Sequence, residues 1–263
     1  MDQEERRLFC IQALLREMPQ YRGVAIPGDA DGQRQLLRSL MNVRPPMPAS
    51  AAFLEAQDAY LQERTREKGI VDADALPATS LDPRLVLWQG DITTLACDAI
   101  VNAANSQLLG CFSPCHGCID NIIHTMSGVQ LRLKCDELMR AQGHEEPTGR
   151  AKLTPGYNLP ARFVLHTVGP IVAGALTAAD EAQLADCYRS CLALAAAHGL
   201  VSVAFCCIST GVFRFPQRRA AEIAVETVRA CLDAGGTVKR VIFNVFKDSD
   251  LKIYRALLER PAE

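Results

Sequence analysis

From about residue 81 onward, short apolar runs alternate with amphipathic stretches, and this alternation constrains the chain more than any other feature. Val201 to Ile208 is a continuous, mostly apolar run, as expected of a strand buried on both faces. Leu85-Val86-Leu87-Trp88, ended by Gln89-Gly90, and Ala99-Ile100-Val101, ended by Asn102, read as further strands, as do Phe163-Val164-Leu165 and Val241 to Val245. Between them, Ile119, Ile122, Ile123 and Met126 begin a helix that runs to about Arg140. Thr177 caps a helix that reaches His198, with Gly199 as its stop signal. Pro216 suits the first turn of a helix ending before Gly235-Gly236, and Ser249 caps a last one. Such alternation predicts an α/β three-layer sandwich around a largely parallel sheet, with ligands bound beyond the strand C-termini. The loops 89–94, 102–120, 169–175 and 208–217 are therefore where chemistry is expected.

Residues 1–80 have a different texture. Leu8, Ile11, Leu14, Leu15 and Met18 recur at helical spacing, and Leu36, Leu37, Leu40 and Met41 form a second stripe. Arg44-Pro45-Pro46-Met47-Pro48 stops any helix. Phe53, Leu54, Tyr60 and Leu61 form a third stripe, interrupted by Gln57. At most three short helices cannot make a full core, so residues 1–80 are expected to be a helical extension packed on residues 81–263.

Lys plus Arg total 28 against 30 Asp plus Glu, a net charge of -2, which excludes a generally basic nucleic-acid binder but not an amide-lined anion pocket. No stretch approaches the roughly 20 apolar residues of a membrane span, so no membrane partner is expected. The start MDQEERRLFC lacks the apolar run of a signal peptide, and an odd count of 11 cysteines argues for a reducing cytoplasm over a disulfide scaffold.

Four loops hold candidate functional residues. Asp91 follows the strand Leu85–Gln89 and could accept a hydrogen bond from an exocyclic amine such as that of adenine, or simply cap its turn. Asn102-Ala103-Ala104-Asn105 offers paired donors and acceptors suited to sugar hydroxyls, or a turn. Ser209-Thr210-Gly211-Val212-Phe213 follows the most buried strand and exposes backbone amides near a helix start, which favours phosphate. The densest signal is Cys111-Phe112-Ser113-Pro114-Cys115-His116-Gly117-Cys118, in which three thiols and an imidazole lie just before a helix. Thiolate and imidazole are preferred zinc ligands; four would close a structural site and three would leave a position open. Cys115-x-x-Cys118 also admits a redox reading, which would not require Cys111 and His116. Asp120 and Asn121 lie in the first turn of the following helix, where a carboxylate suits the helix dipole or could accept a proton beside a metal. His124 could be core or support the site, and His166, inside an apolar strand, reads as a satisfied core histidine. The remaining cysteines read as packing residues.

Gly90-Asp91-Ile92, Asn102-Ala103-Ala104-Asn105, the Asp120–His124 segment and Ser209 to Phe213 together resemble, in order and spacing, the macrodomain family over roughly residues 83–260. Where ordinary macrodomains carry a glycine-rich loop, Gly110 to Cys118 is similar to the zinc-dependent macrodomains of microbes, which also carry an N-terminal helical extension. The resemblance implies a macrodomain sandwich with a mixed, mostly parallel sheet, and one zinc ion per chain held by Cys111, His116 and Cys118, with Cys115 a spare thiol. It implies that Asp91 and Ile92 hold adenine, that Ser209, Thr210, Gly211, Val212 and Phe213 wrap the diphosphate, and that Asn105 and Asp120, with Asn121 beside them, face the distal ribose. The implied activity is removal of ADP-ribose from mono-ADP-ribosylated protein, with Asn105 orienting the ribose and Asp120 positioning water or taking a proton. A sirtuin-type transferase and a lipoylated carrier protein often accompany the subclass. Two rival expectations are a non-catalytic ADP-ribose reader, in which Cys115 closes a structural zinc site, and a deacetylase of O-acetyl-ADP-ribose. Coordination number separates the reader from the hydrolase.

Overall fold

A computed structural model describes residues 1–259 of the chain. Helices α1 (Gln3–Glu17), α2 (Ala30–Val43) and α3 (Ala51–Lys68) come first. Each starts where a side chain satisfies free backbone N–H groups: Asp2, paired with Glu5 in a capping box, then Asp29 and Ser50. Cys10, Ile11, Leu14, Leu37, Leu40, Phe53 and Leu61 form a separate apolar cluster, closed by Val129 from the rest of the chain. Gln57, the residue that breaks the third stripe, is a joint: its Oε1 accepts the Val129 amide at 3.0 Å and its Nε2 donates to Gln130 at 2.8 Å.

Two short strands, β1 (Val71–Asp72) and β3 (Leu95–Ala96), pair with each other. The main sheet contains β2 (Leu85–Gln89), β4 (Ala99–Ala104), β5 (Ala151–Pro155), β6 (Phe163–Val168), β7 (Ser202–Phe205) and β8 (Arg240–Val245). Its order is β2-β8-β7-β4-β6-β5, parallel throughout except for the antiparallel edge β5. Helices α4 (Ile119–Ser127), α5 (Val129–Gln142), α6 (Ala178–Ala197), α7 (Gln217–Asp233) and α8 (Asp248–Leu258) flank it, with α6 packed on α7 and α7 on α8. This α/β sandwich brings the loops after β2, β4, β6, β7 and β8 to one edge of the sheet.

Several local expectations change. The helix expected from Ile119 to Arg140 is split at Gly128, whose φ of +100° lets α5 start in a new direction. The long apolar run contributes only Ser202–Phe205 to the ladder; Cys206 and Ile208 stay buried while the chain turns into the next loop. Pro216 sits just before α7 instead of in its first turn, and Lys247 instead of Ser249 precedes α8. Strand β5 was not anticipated: its alternation Ala151-Lys152-Leu153-Thr154 is short, contains a single large apolar residue and ends at Pro155.

Candidate active site

Asn102 is the centre from which the site is built. It is fully buried in β4, opposite His166 of β6, and its Nδ2 donates both to Asp120 Oδ1 at 2.7 Å and to His166 Nδ1 at 3.2 Å. Asp120 is buried in the first turn of α4. Its other oxygen, Oδ2, has only the loose approach of Asn105 Nδ2 at 3.5 Å. Burial pushes the Asp120 carboxyl up to about 6, against the bond from Asn102 and the attraction of Arg132. His124, one turn further on α4, lies 3.5 Å from Asp120 Oδ1, and burial together with His166 and Arg132 drives it well below its usual range, so it is neutral. Asn105 is half-buried; its Oδ1 accepts the Gln107 amide and its Nδ2 donates to the carbonyl of Gly110 at 3.2 Å. Gly110 is required twice over: its φ is +79°, and a Cβ there would lie 2.7 Å from the His124 ring.

The loop that follows gathers three donors. The ligand atoms of Cys111, His116 and Cys118 all lie within 4.8 Å of one another, with Cys111 Sγ 3.6 Å from His116 Nδ1. Cys115 is turned the other way: its backbone is left-handed (φ +53°) and its thiol faces Ser39 Oγ of α2 at 3.2 Å. Burial pushes the Cys118 thiol up to about 11, against the hydrogen bond from the Asn121 amide, with Cys111 and Asp120 adding to the rise. Two thiols and an imidazole, with their ligand atoms within 4.8 Å of one another, are preferred zinc ligands, so the donor set fits zinc. A second group, His124, Cys135 and His166, also brings three donors within 4.8 Å, but it is fully buried and His166 already uses both ring nitrogens, on Asn102 and on Thr154 Oγ1 at 2.9 Å.

The remaining expected residues line the same edge. Asp91 Oδ1 accepts from the Thr93 amide and hydroxyl, capping the turn Ile92–Thr94, while Lys68 at the end of α3 pairs with Oδ2 at 2.8 Å. Burial raises the Asp91 carboxyl, but Lys68 and Thr93 outweigh it and hold it below its ordinary value, so it is a permanent acceptor. Ile92 is buried beneath. After β7, Ser209 is left-handed (φ +63°) and fits only because residue 169 is glycine: a Cβ there would fall 2.0 Å from Ser209 Oγ. The amides of Gly211, Val212 and Phe213 make no hydrogen bond within the described residues, and Val212 is 70% exposed. Thr210 Oγ1 donates to the Cys207 carbonyl and the Phe213 carbonyl accepts from Val172, pinning both ends of this loop. Consecutive free amides on a pinned loop suit an anion.

The chain is 57% identical over 260 residues to a protein-ADP-ribose hydrolase of Treponema medium, with 98% of this chain and 100% of the relative covered. A family model described as Macro domain matches residues 101–224. This chain belongs to the macro domain family. A protein-ADP-ribose hydrolase of Staphylococcus aureus is 48% identical over 256 residues, covering 97% of this chain and 96% of that one. Among solved structures, a Trypanosoma brucei macrodomain in complex with ADP-ribose matches with a TM-score of 0.63 at 34% identity, covering 84% of this chain and 94% of that one.

In this macro domain, Asn105, Asp120, Cys111, His116 and Cys118 come together around the start of α4, while Asp91 and Ser209–Phe213 lie on neighbouring loops of the same sheet edge. Asn121, also expected at the ligand, is fully buried: its side-chain amide donates to the Ser113 and Cys111 carbonyls at 3.0 and 3.4 Å, and its oxygen accepts from Arg38. Sequence reasoning passed over Phe246, which is 77% exposed directly after β8; its carbonyl accepts from Gln89, the residue that leads into Gly90-Asp91. The signal was an aromatic at the C-terminal end of a buried parallel strand. Reasoning confined to residues 81–263 also passed over Lys68 and Arg38.

Proposed function

We propose that this protein is a zinc-dependent hydrolase that removes ADP-ribose from mono-ADP-ribosylated proteins. The observation that carries the reading is the three-donor group of Cys111, His116 and Cys118, from which Cys115 is turned away, two residues before the buried carboxylate Asp120. A three-ligand set supports the hydrolase over a reader with a closed zinc site. The names and identities of the two relatives, both protein-ADP-ribose hydrolases, support the hydrolase activity independently.

In this reading adenine stacks on Phe246 and donates its amine to Asp91. The amides of Gly211, Val212 and Phe213 take the diphosphate, with Ser209 and Thr210 shaping the loop. That remote binding energy holds the distal ribose against Asn105 and Asp120. Asn102 fixes Asp120 through Oδ1, so Oδ2 is the atom that accepts a proton from water as it attacks. A carboxyl titrating near 6 is ionised at neutral pH yet basic enough for this work. Cys111, His116 and Cys118 would hold zinc, which when bound would supply Lewis-acid chemistry. The finer parts of the proposal rest on resemblance to the zinc-dependent subclass: the modification is one made by a sirtuin-type transferase, and the target is a lipoylated carrier protein. A reducing cytoplasm suits the 11 cysteines, all of them unpaired; among the described residues no helix is long and apolar enough to cross a membrane.

The test is Cys118→Ala. Zinc binding and release of ADP-ribose from protein should be lost together, while calorimetric affinity for free ADP-ribose persists. A Cys118→Ala protein that still hydrolyses at the normal rate without zinc would sink the proposal.

A further inference from the structure

We propose that α2 of the N-terminal extension is the template that holds the metal loop in its ligand-ready shape, with Arg38 and Asn42 as positioning residues. The inference rests on the zinc reading above and extends it to residues that touch neither metal nor substrate.

The loop cannot hold itself. Between Cys111 and Cys118 it has no regular structure, and its one internal backbone hydrogen bond runs from the His116 amide to the Ser113 carbonyl at 3.2 Å. Cys115 is nonetheless left-handed, a conformation that a residue with a Cβ keeps only where its surroundings over-determine it. Those surroundings are α2. Asn42, which is 1% exposed, accepts the Cys115 amide on Oδ1 at 2.9 Å and donates from Nδ2 to Thr125 Oγ1 of α4 at 2.9 Å. The Cys115 thiol donates to the Gln35 carbonyl at 3.5 Å and pairs with Ser39 Oγ at 3.2 Å, which keeps that sulfur out of the donor set.

Arg38 governs the other half of the loop. Its Nη2 donates to the His116 carbonyl at 2.9 Å, and its Nε and Nη2 both reach Asn121 Oδ1, at 3.1 and 2.7 Å. Asn121, so oriented, donates to the carbonyls of Cys111 and Ser113. One guanidinium thereby fixes, directly or through Asn121, the backbone of two ligands, Cys111 and His116. Arg132 of α5 closes the arrangement: it donates to the Leu109 carbonyl at 2.6 Å and to the carbonyls of Met41 and Arg44 at the end of α2, and its guanidinium lies 4.2 Å over the Phe112 ring. The extension is therefore part of the metal site's scaffold, whatever else it recognises.

Groups that orient ligands without touching the metal typically govern about 10–100-fold in metal affinity. The experiment measures zinc affinity of full-length protein by competition with a chelator, for wild type, Arg38→Gln, Arg38→Lys, Asn42→Leu and Gln62→Ala. Gln62 also bridges extension and macro domain, through Asn158 at 3.1 Å, but lies away from the loop. Arg38 is only half-buried, so Arg38→Gln should keep the fold. Melting of the zinc-free protein and its affinity for ADP-ribose serve as readouts of a general structural effect. Zinc affinity should fall about 10-fold or more in Arg38→Gln and Asn42→Leu, with partial recovery in Arg38→Lys, no change in Gln62→Ala, and unchanged ADP-ribose binding in Arg38→Gln. Wild-type zinc affinity in Arg38→Gln, alongside its loss in Cys118→Ala, overturns this inference alone. Equal zinc affinity in wild type and Cys118→Ala overturns the zinc reading and the inference with it.

Discussion

His166 should make the folded protein acid-labile by a calculable amount. It is fully buried in β6, and burial pushes its imidazole down to about 3 from the 6.5 of an exposed histidine. Its hydrogen bonds enforce the neutral form: Asn102 donates to Nδ1, so Nε2 carries the proton shared with Thr154, and a proton on Nδ1 would set donor against donor. Below pH 6.5 the unfolded chain takes up a proton that the native state refuses down to about pH 3. The native state thus has its full stability above pH 6.5 and loses it as the pH falls towards 3. At about 1.4 kcal/mol for each tenfold step in proton affinity, His166 alone removes about 3 kcal/mol between pH 7 and pH 4. The measurement is urea unfolding of zinc-free wild type and His166→Gln at a series of pH values. The stability advantage of wild type at pH 7 should shrink by about 3 kcal/mol at pH 4. Parallel stability curves would refute the claim that a buried neutral histidine underlies Asn102.

Two further substitutions probe the site from opposite ends. Gly110→Ala meets both a φ of +79° and the His124 ring at 2.7 Å, so it should destabilise the zinc-free protein by about 1–3 kcal/mol in thermal unfolding, whereas Gly174→Ala, with nothing within 4 Å, should not; equal effects would contradict the packing described. Phe246→Ala removes the exposed ring beside the Asp91 turn and should cost about 1–3 kcal/mol of ADP-ribose affinity by calorimetry; an unchanged affinity would take Phe246 out of the adenine site.

The alternation of strands and helices made the central sheet legible, because parallel strands buried on both faces write themselves as apolar runs. Strand β5 was not legible, because Ala151 to Pro155 holds only one large apolar residue, Leu153. Gly128 was a visible glycine in an otherwise helical spacing, but nothing local shows that the chain must turn there to meet Gln57. The metal loop stood out by composition alone. Which of its cysteines faces away depends on Ser39, Asn42 and Arg38, more than 70 residues earlier, and such long-range contacts leave no trace in the spacing of the loop. The bonds of Asn121 were hidden for the same reason: they run to Arg38 and to the carbonyls of Cys111 and Ser113, which its sequence neighbours do not show. Of the readings of Asp91, the turn cap was legible locally, whereas its pairing with Lys68, 23 residues earlier, was not.

The most direct test of the account is a release assay on a mono-ADP-ribosylated protein with the full-length chain stripped of metal and then titrated with zinc, the substrate followed by intact-mass spectrometry. Release from the stripped protein should be negligible, and full turnover should return at one zinc per chain. Turnover by the stripped protein equal to that of the zinc-loaded one would contradict the zinc dependence.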